Sequence, residues 1–467
     1  MLTKRGGVVL VVSISLQLIS LTFYSINDFA RFLLDTFGFD LSIFFPYIFK
    51  ISTLAPYFFA TGTLFLASLI ASYLMFRGII ASNPIDVERS LSEERVFTGD
   101  FIIVTLRIKN KTVYRIHNLF VSDIIPDVFD LVLGENYFHL SILGNSEIVV
   151  SYILRCGARG DYYIGPTQVI IRDRFGLFMK EYLIDKKSHL LVYPPYEDVR
   201  RIEMLQRIYG GLLFGHYKVK EKGHGYDFWS LRKYVIGDPL KYVDWKATAR
   251  KGELYVREYE AEKNVRLYIF IDASHSMGYG EKRRTKLDYA ARAAVLLANI
   301  AARAQDLFGL VVYSNGIRDF VPASRGRKNI YLILESLAKM DPSGPSDLYA
   351  TMREFIVRER HYTLAFIISD LEGDPGKIED GIKVALAHKV KPIIIAPIGP
   401  LFEPQPTTEI GKAFREAIIA EYMRRRKRIK NALAKYRVRV YDVSPQELLV
   451  SILELFLRSK GRGVSLV

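Results

Sequence analysis

Two long uncharged stretches open the chain. Residues 6–26 and 51–76 contain no charged side chain, and each reaches the roughly 20 apolar residues that a helix needs to cross a bilayer. Lys4 and Arg5 precede the first stretch, as in a signal peptide, but residues 21–27 are bulky where a small-x-small cleavage site would stand. The expectation is two retained transmembrane helices within residues 1–80, joined by a Phe- and Leu-rich connector (28–50) along the membrane interface. Beyond residue 83 the period shortens to two. In residues 101–109, Ile103, Thr105 and Arg107 alternate with Val104, Leu106 and Ile108, the pattern of a half-buried strand. Runs at 148–154, 162–164, 168–171 and 190–192 are separated by turn residues such as Gly157, Gly160-Asp161 and Gly165-Pro166. Strands at that spacing predict a β-sandwich over 83–195. Residues 196–222 read as a helical linker broken at Gly210-Gly211.

From residue 263 the patterns of strand and helix alternate. Runs at 265–271, 308–313, 364–369, 392–397 and 437–441 read as strands. Helical patterns lie at 287–305, 328–340, 347–358, 377–387 and 445–458. Such alternation predicts a largely parallel sheet covered on both faces, an α/β doubly wound domain over 263–467. The first run ends in Asp272, with Ser274 and Ser276 at alternate positions after it. One carboxylate and two hydroxyls on a tight loop past a strand's carboxyl end make a small all-oxygen nest, the chemistry that magnesium prefers.

Asp-x-Ser-x-Ser after a strand resembles the metal-ion-dependent adhesion site of von Willebrand factor A domains. Two further pieces of that pattern follow in order. Gly344-Pro345-Ser346-Asp347-Leu348 presents Ser346 where the family usually has Thr, and Ile367-Ile368-Ser369-Asp370 ends a second apolar run in a carboxylate. The resemblance implies a site of Asp272, Ser274, Ser276, Ser346 and Asp370, holding Mg2+ or Mn2+ and completed by an Asp or Glu of a bound partner.

A dense block over 196–262 joins the two regions. It reads Gly-x-Gly-x-x-Phe-x-x-Leu-Arg-x-Tyr from Gly223, then Gly237-Asp238, then Val-Asp-Trp-Lys-Ala-x-Ala-Arg ending at Arg250, and it contains both tryptophans, Trp229 and Trp245. The expectation is aromatics buried against the following domain, with Arg232, Asp238, Lys241, Asp244, Lys246 and Arg250 paired around them. His224 has no partner placed to orient it as a base. The block is similar to the signature of the family called domain of unknown function fifty-eight, which typically joins membrane helices, a β-rich segment, this block and a von Willebrand A domain. That resemblance implies an association with AAA+ ATPases of the MoxR type.

Charge narrows the partners. The formal net charge is +15 and the pI near 9.5, which favours an anionic partner. Arg424 to Arg428, with Lys430 and Lys435, form a basic helical run. It reads as a solvated face, or as one drawn to anionic lipid. No recognised nucleic-acid module is present, and Asp238 and Asp244 would repel a phosphate backbone. No P-loop, Rossmann glycine fingerprint or zinc-type Cys/His cluster occurs. The single cysteine, Cys156, excludes an intrachain disulfide. Lys4, Arg5 and Arg77 against a mixed connector favour a two-pass cell-membrane protein with its main domains in the cytoplasm. The function expected is a non-enzymatic, metal-dependent protein-interaction module. The alternatives are a hydrolase (phosphatase or nuclease) on the same site, with His275 and Lys286 as its nearby groups, or a scaffold with a degenerate metal site.

Overall fold

The computed structural model describes residues 1–37, 40, 41, 46, 53–81, 83–196, 222–260, 266–281, 284–403, 408–445 and 447–461. The expected helical linker falls almost wholly outside them. The chain divides into two compact units. The first comprises Met1–Glu94, Phe101–Arg155 and Tyr162–Leu190, and the second Arg95–Asp100, Cys156–Asp161 and Leu191–Val467.

The first unit begins with helices α1 (Lys4–Phe37) and α2 (Ala55–Ile80), both long and apolar enough to cross a membrane. Helix α1 runs past the uncharged stretch into the expected connector. The two helices approach closely where side chains are small. Ser13 Oγ donates to the Gly62 carbonyl at 2.7 Å and Ser20 Oγ to that of Ala55 at 2.8 Å. A Cβ on Gly62 would lie 3.1 Å from the Ser13 carbonyl oxygen. Small residues that admit a neighbouring backbone are the usual basis of helix pairing in lipid.

Eleven strands follow in the β-rich middle region: β1 (Ile85–Leu91), β2 (Arg95–Phe97), β3 (Phe101–Asn110), β4 (Ile116–Asp123), β5 (Phe129–Leu133) and β6 (Tyr137–Ile142), then β7 (Glu147–Cys156), β8 (Gly160–Ile164), β9 (Thr167–Arg172), β10 (Met179–Ile184) and β11 (Ser188–Tyr193). Two four-stranded sheets run β1-β3-β7-β5 and β10-β9-β4-β6. Strand β3 buries Ile102, Val104, Leu106 and Ile108 and exposes its alternate positions, as the period-two pattern requires. A buried ion pair ties this region together: Arg89 grips Asp123 with two nitrogens, while Tyr152 and Thr167 also donate to that carboxylate. Cys156 is buried, which pushes its thiol up to about 12 and leaves it inert at neutral pH.

In the second unit, β12 (Lys222–Lys233) and β13 (Tyr255–Glu260) form an antiparallel hairpin around the short helix α3 (Trp245–Lys251). The expectation for this block is half corrected. Of the charges expected to pair, Arg232 meets Asp238 at 2.6 Å, while Asp244 is held at 2.8 Å by Arg257 of β13, a residue outside the expected set. Trp245, however, is 65% exposed, on a short helix none of whose residues is buried. The side chains of Trp229 and His224 lie outside the described residues.

The α/β domain follows as β14 (Arg266–Asp272), a small ribbon β15 (Gly280–Glu281) and β16 (Arg284–Thr285), α4 (Lys286–Arg303), β17 (Leu307–Tyr313), β18 (Ile317–Ser324), α5 (Arg327–Lys339) and α6 (Leu348–Arg358). It ends with β19 (Thr363–Ile368), α7 (Pro375–Ala387), β20 (Val390–Pro397), α8 (Glu409–Ala434), β21 (Val440–Val443) and α9 (Leu448–Gly461). The six-stranded sheet runs β18-β17-β14-β19-β20-β21 and is parallel except at β18. Counted within the domain, that order is 3-2-1-4-5-6, the doubly wound pattern. Strand β14 is buried on both faces. Leu267, Ile269 and Ile271 pack with α4 and α9, while Tyr268 and Phe270 pack with α6 and α7, which is why its sequence is continuously apolar. Strand β18, a polar edge strand, has no counterpart among the expected runs.

The basic run in α8 also differs from expectation. Arg426 shares a face with Ile429 and Leu433, all three buried, and its guanidinium reaches the Asp370, Ala396 and Pro397 carbonyls and the Asp442 carboxylate. Arg424, Arg425 and Arg428 remain exposed.

Candidate metal centre

The direction of the chain reverses between β14 and β19, the adjacent first and fourth strands of the domain. Ligand groups collect at the carboxyl ends of strands flanking such a switch point. Asp272 ends β14 and Asp370 follows β19, so both carboxylates emerge side by side. Backbone bonds tie in the third loop: Ser343 N donates to the Ala273 carbonyl at 2.8 Å and His275 N to that of Gly344 at 2.9 Å. Gly344 itself sits at φ 73°, a conformation that favours glycine and turns the chain so that Ser346 approaches Asp272.

All five expected residues converge in one hydrogen-bonded set. Asp272 Oδ2 accepts from Ser346 Oγ and from Ser369 Oγ, each at 2.7 Å, and Asp272 Oδ1 accepts from Ser274 N at 2.9 Å. Ser274 and Ser276 place their hydroxyls 3.2 Å apart, and Ser276 Oγ donates to Asp370 Oδ1 at 3.1 Å. Asp272 and Asp370 are fully buried. Burial first, then the charge of Asp370, pushes Asp272 up to about 6. Both the buried surroundings and the neighbouring carboxylate disfavour the charged form of Asp272.

The donor set suits a hard divalent ion. Each hydroxyl that gives its proton to a carboxylate keeps lone pairs for a cation, and every candidate ligand is an oxygen. Among the described residues, no group of three or more His, Cys, Asp or Glu side chains is placed to hold a metal. Hydroxyls would therefore carry much of the coordination. Ser274, Ser276 and Ser346 with Asp272 and Asp370 would hold the ion, which would supply an electrophilic centre for an anionic oxygen.

Three residues of the site escaped the motif. Ser369 is a third hydroxyl on Asp272. Lys286, 1% exposed, donates to Asp370 Oδ2 at 2.5 Å and to Glu372 Oε1 at 3.1 Å. Burial opposes the charge on Lys286, but Asp370 and then Glu372 outweigh it and hold its pKa above the ordinary lysine value. Held between two carboxylates, the Lys286 ammonium acts here as a donor and a positive charge, with no lone pair to accept a proton in that form. Glu372 reaches Lys286 because Leu371, at φ 53°, bends the chain between the two acidic residues. A bulky residue in that region is strained by about 1–2 kcal/mol. The sequence does carry a signal for Lys286. It opens α4 behind the Thr285–Asp288 capping box, where the helix dipole disfavours a cation unless an anion stands close by.

Parts of the chain are similar to known proteins. The Mycobacterium tuberculosis protein Rv1480 is 27% identical over 184 residues, covering 38% of this chain and 58% of its own length. The match thus spans little more than half of that relative. Among solved structures, BatB from Bacteroides thetaiotaomicron matches at 14% identity and a TM-score of 0.31, over 43% of this chain and all of its own. A von Willebrand factor type A protein from Catenulispora acidiphila matches at 16% and 0.30, over 44% of each chain. At that overlap the fold rests on the strand order described above and not on these neighbours. The family model described as "Protein of unknown function DUF58" matches residues 230–396, which enclose all five site residues as well as Lys286 and Glu372. That segment, rather more than a third of the chain, is similar to the DUF58 family.

Proposed function

We propose that the chain is a membrane-anchored interaction module that captures an acidic side chain of a protein partner through a divalent ion, magnesium or manganese. One observation carries the reading: Asp272, Ser274, Ser276, Ser346 and Asp370, drawn from three separate loops, form a single hydrogen-bonded oxygen set at the switch point of the sheet. Two carboxylates balance a divalent ion only on paper. Hydrogen bonds from Ser346, Ser369 and Ser274 N spread the charge of Asp272, so the ion stays electrophilic and prefers an anionic oxygen to water in its open position. The resemblance to the DUF58 family makes a MoxR-type AAA+ ATPase, or its client, the partner of choice. Lys4, Arg5 and Arg77 favour the cytoplasmic side for the domain. The exposed Arg424, Arg425 and Arg428, with Ile410, Phe414 and Ile418 also exposed on α8, suit contact with anionic lipid.

Titration calorimetry of the full chain in detergent tests the metal. Magnesium should bind the wild type at one site and fail to bind a folded Asp272→Ala variant. Equal affinity in both would overturn the assignment. Affinity purification from native membranes tests the partner. It should be retained with magnesium, lost in chelator, and lost with Asp272→Ala. A partner that stays bound in chelator would remove the metal from the mechanism.

A further inference from the structure

Lys286 is an unusual neighbour for a cation site. A buried lysine needs a partner that compensates its lost hydration, and this one has two carboxylates, one of them a candidate metal ligand. The two oxygens of Asp370 are divided. Oδ1 accepts from Ser276 Oγ and from Glu372 N, each at 3.1 Å, and faces the hydroxyl cluster; Oδ2 is held by the ammonium at 2.5 Å. Space for the ammonium is kept by Gly399, where an added Cβ would stand 3.3 Å from Lys286 Nζ and 3.2 Å from Glu372 Oε1. The strained Leu371 turn supplies Glu372 as the second acceptor. Two independent features of the fold thus keep a positive charge against the far side of Asp370.

We propose that Lys286 is a positioning residue that clamps Asp370 and, through its fixed charge, holds down the affinity of the site for a divalent ion. The inference rests on the metal-dependent reading of the same site. Its consequence concerns the partner. With one carboxylate already matched by the ammonium, a bound ion retains positive charge that Asp272 alone does not neutralise. Completion by an anionic side chain then becomes part of holding the metal. Metal and acidic partner would bind cooperatively, each weak without the other. A unit charge across one carboxylate from a divalent ion, in a partly screened protein interior, alters affinity by at least about tenfold.

The test is magnesium chloride titrated by calorimetry into the full detergent-solubilised chain, with the fold of each variant checked by circular dichroism. Lys286→Met should bind magnesium at least about tenfold more tightly than the wild type, and Lys286→Arg, which keeps the charge, should stay within a few-fold of it. If Lys286→Met does not fold, Lys286→Gln keeps a donor for Asp370 without the charge and carries the same expectation. Unchanged or weaker binding in the folded neutral variant, while the wild type binds and Asp272→Ala does not, would overturn the role of Lys286 and leave the metal site standing. Binding in Lys286→Met with none in the wild type would uphold the lysine's role and overturn magnesium as the native occupant. No binding in either would overturn both.

Discussion

Three adjacent arginines in α8 provide a sharp test of the packing around the site. Arg424 is a surface residue, its side chain 73% exposed and 3.2 Å from Glu421, and such pairs contribute about 0–1 kcal/mol. Arg426 is 3% exposed and donates to the Ala396, Pro397 and Asp370 carbonyls while pairing with Asp442 at 3.0 Å. Replacing it with Met keeps the aliphatic stem. Asp442 would not be orphaned, because Lys430 holds its other oxygen at 2.5 Å. The loss is therefore that of three carbonyls deprived of a charged donor, at about 1 kcal/mol each. That sums to about 3 kcal/mol, the lower end of what breaking a buried pair costs. For a domain of this size it corresponds to a fall of roughly 6–12 °C in melting temperature. Thermal unfolding of the purified chain, with hydrogen exchange to locate the change to β20 and the Asp370 loop, measures it. Arg424→Met should melt within about 2 °C of the wild type. If Arg424→Met and Arg426→Met melt together, the guanidinium does not anchor these strand ends.

Other expectations follow from the same structure. Arg89→Met should cost about 3–5 kcal/mol by leaving Asp123 buried and unpaired, and adding Asp123→Leu should recover much of it; chemical denaturation measures both. Gly62→Leu should lower the melting temperature in detergent, because its side chain would meet the Ser13 carbonyl of α1, whereas Ser68→Leu on the exposed face of α2 should not. Glu359 gives a pH-dependent case. Burial opposes its charge, but hydrogen bonds from Arg266, His361 and Tyr268 outweigh this and hold its pKa below the ordinary 4.5. A depressed folded pKa stabilises above the unfolded value and is lost as pH falls through the folded one. Glu359→Gln should therefore be weaker than wild type at pH 7, and the gap should close below about pH 4.5. A gap that stays constant with pH would show that the carboxylate charge contributes nothing.

Much of the architecture was legible because it repeats. The uncharged stretches became α1 and α2, the alternation at 101–109 became β3, and the run before Asp272 became a strand buried on both faces. Periodicity reports burial, and burial shaped these elements. The convergence of the five residues was legible for a different reason: they stand at strand ends, where a break in the apolar run marks them. Strand β18 was missed because its exposed Arg318 and Asp319 blur the alternation of an edge strand. Trp245 was misread because large aromatics are usually buried, and nothing in the local pattern distinguishes a core indole from one on an exposed helix face.

The residues that sequence patterns handled worst share a physical trait: each is locally unfavourable where it stands. Lys286 opens a helix whose dipole repels it. Arg426 lies on the apolar face of α8, three residues before Ile429 and seven before Leu433. Leu371 adopts a backbone conformation that disfavours a side chain. A cost of that kind persists only where tertiary contacts compensate, and all three compensations meet at Asp370: an ammonium on its carboxylate, a guanidinium on its carbonyl, and a turn just after it. The adhesion-site motif identifies the oxygens, but it is silent about the cations beside them. Those cations decide how much charge an ion would find at Asp370. Two proteins with the same five-residue motif can therefore differ in metal affinity, and the local misfits at the helix starts and apolar helix faces around the site are where that difference would be written.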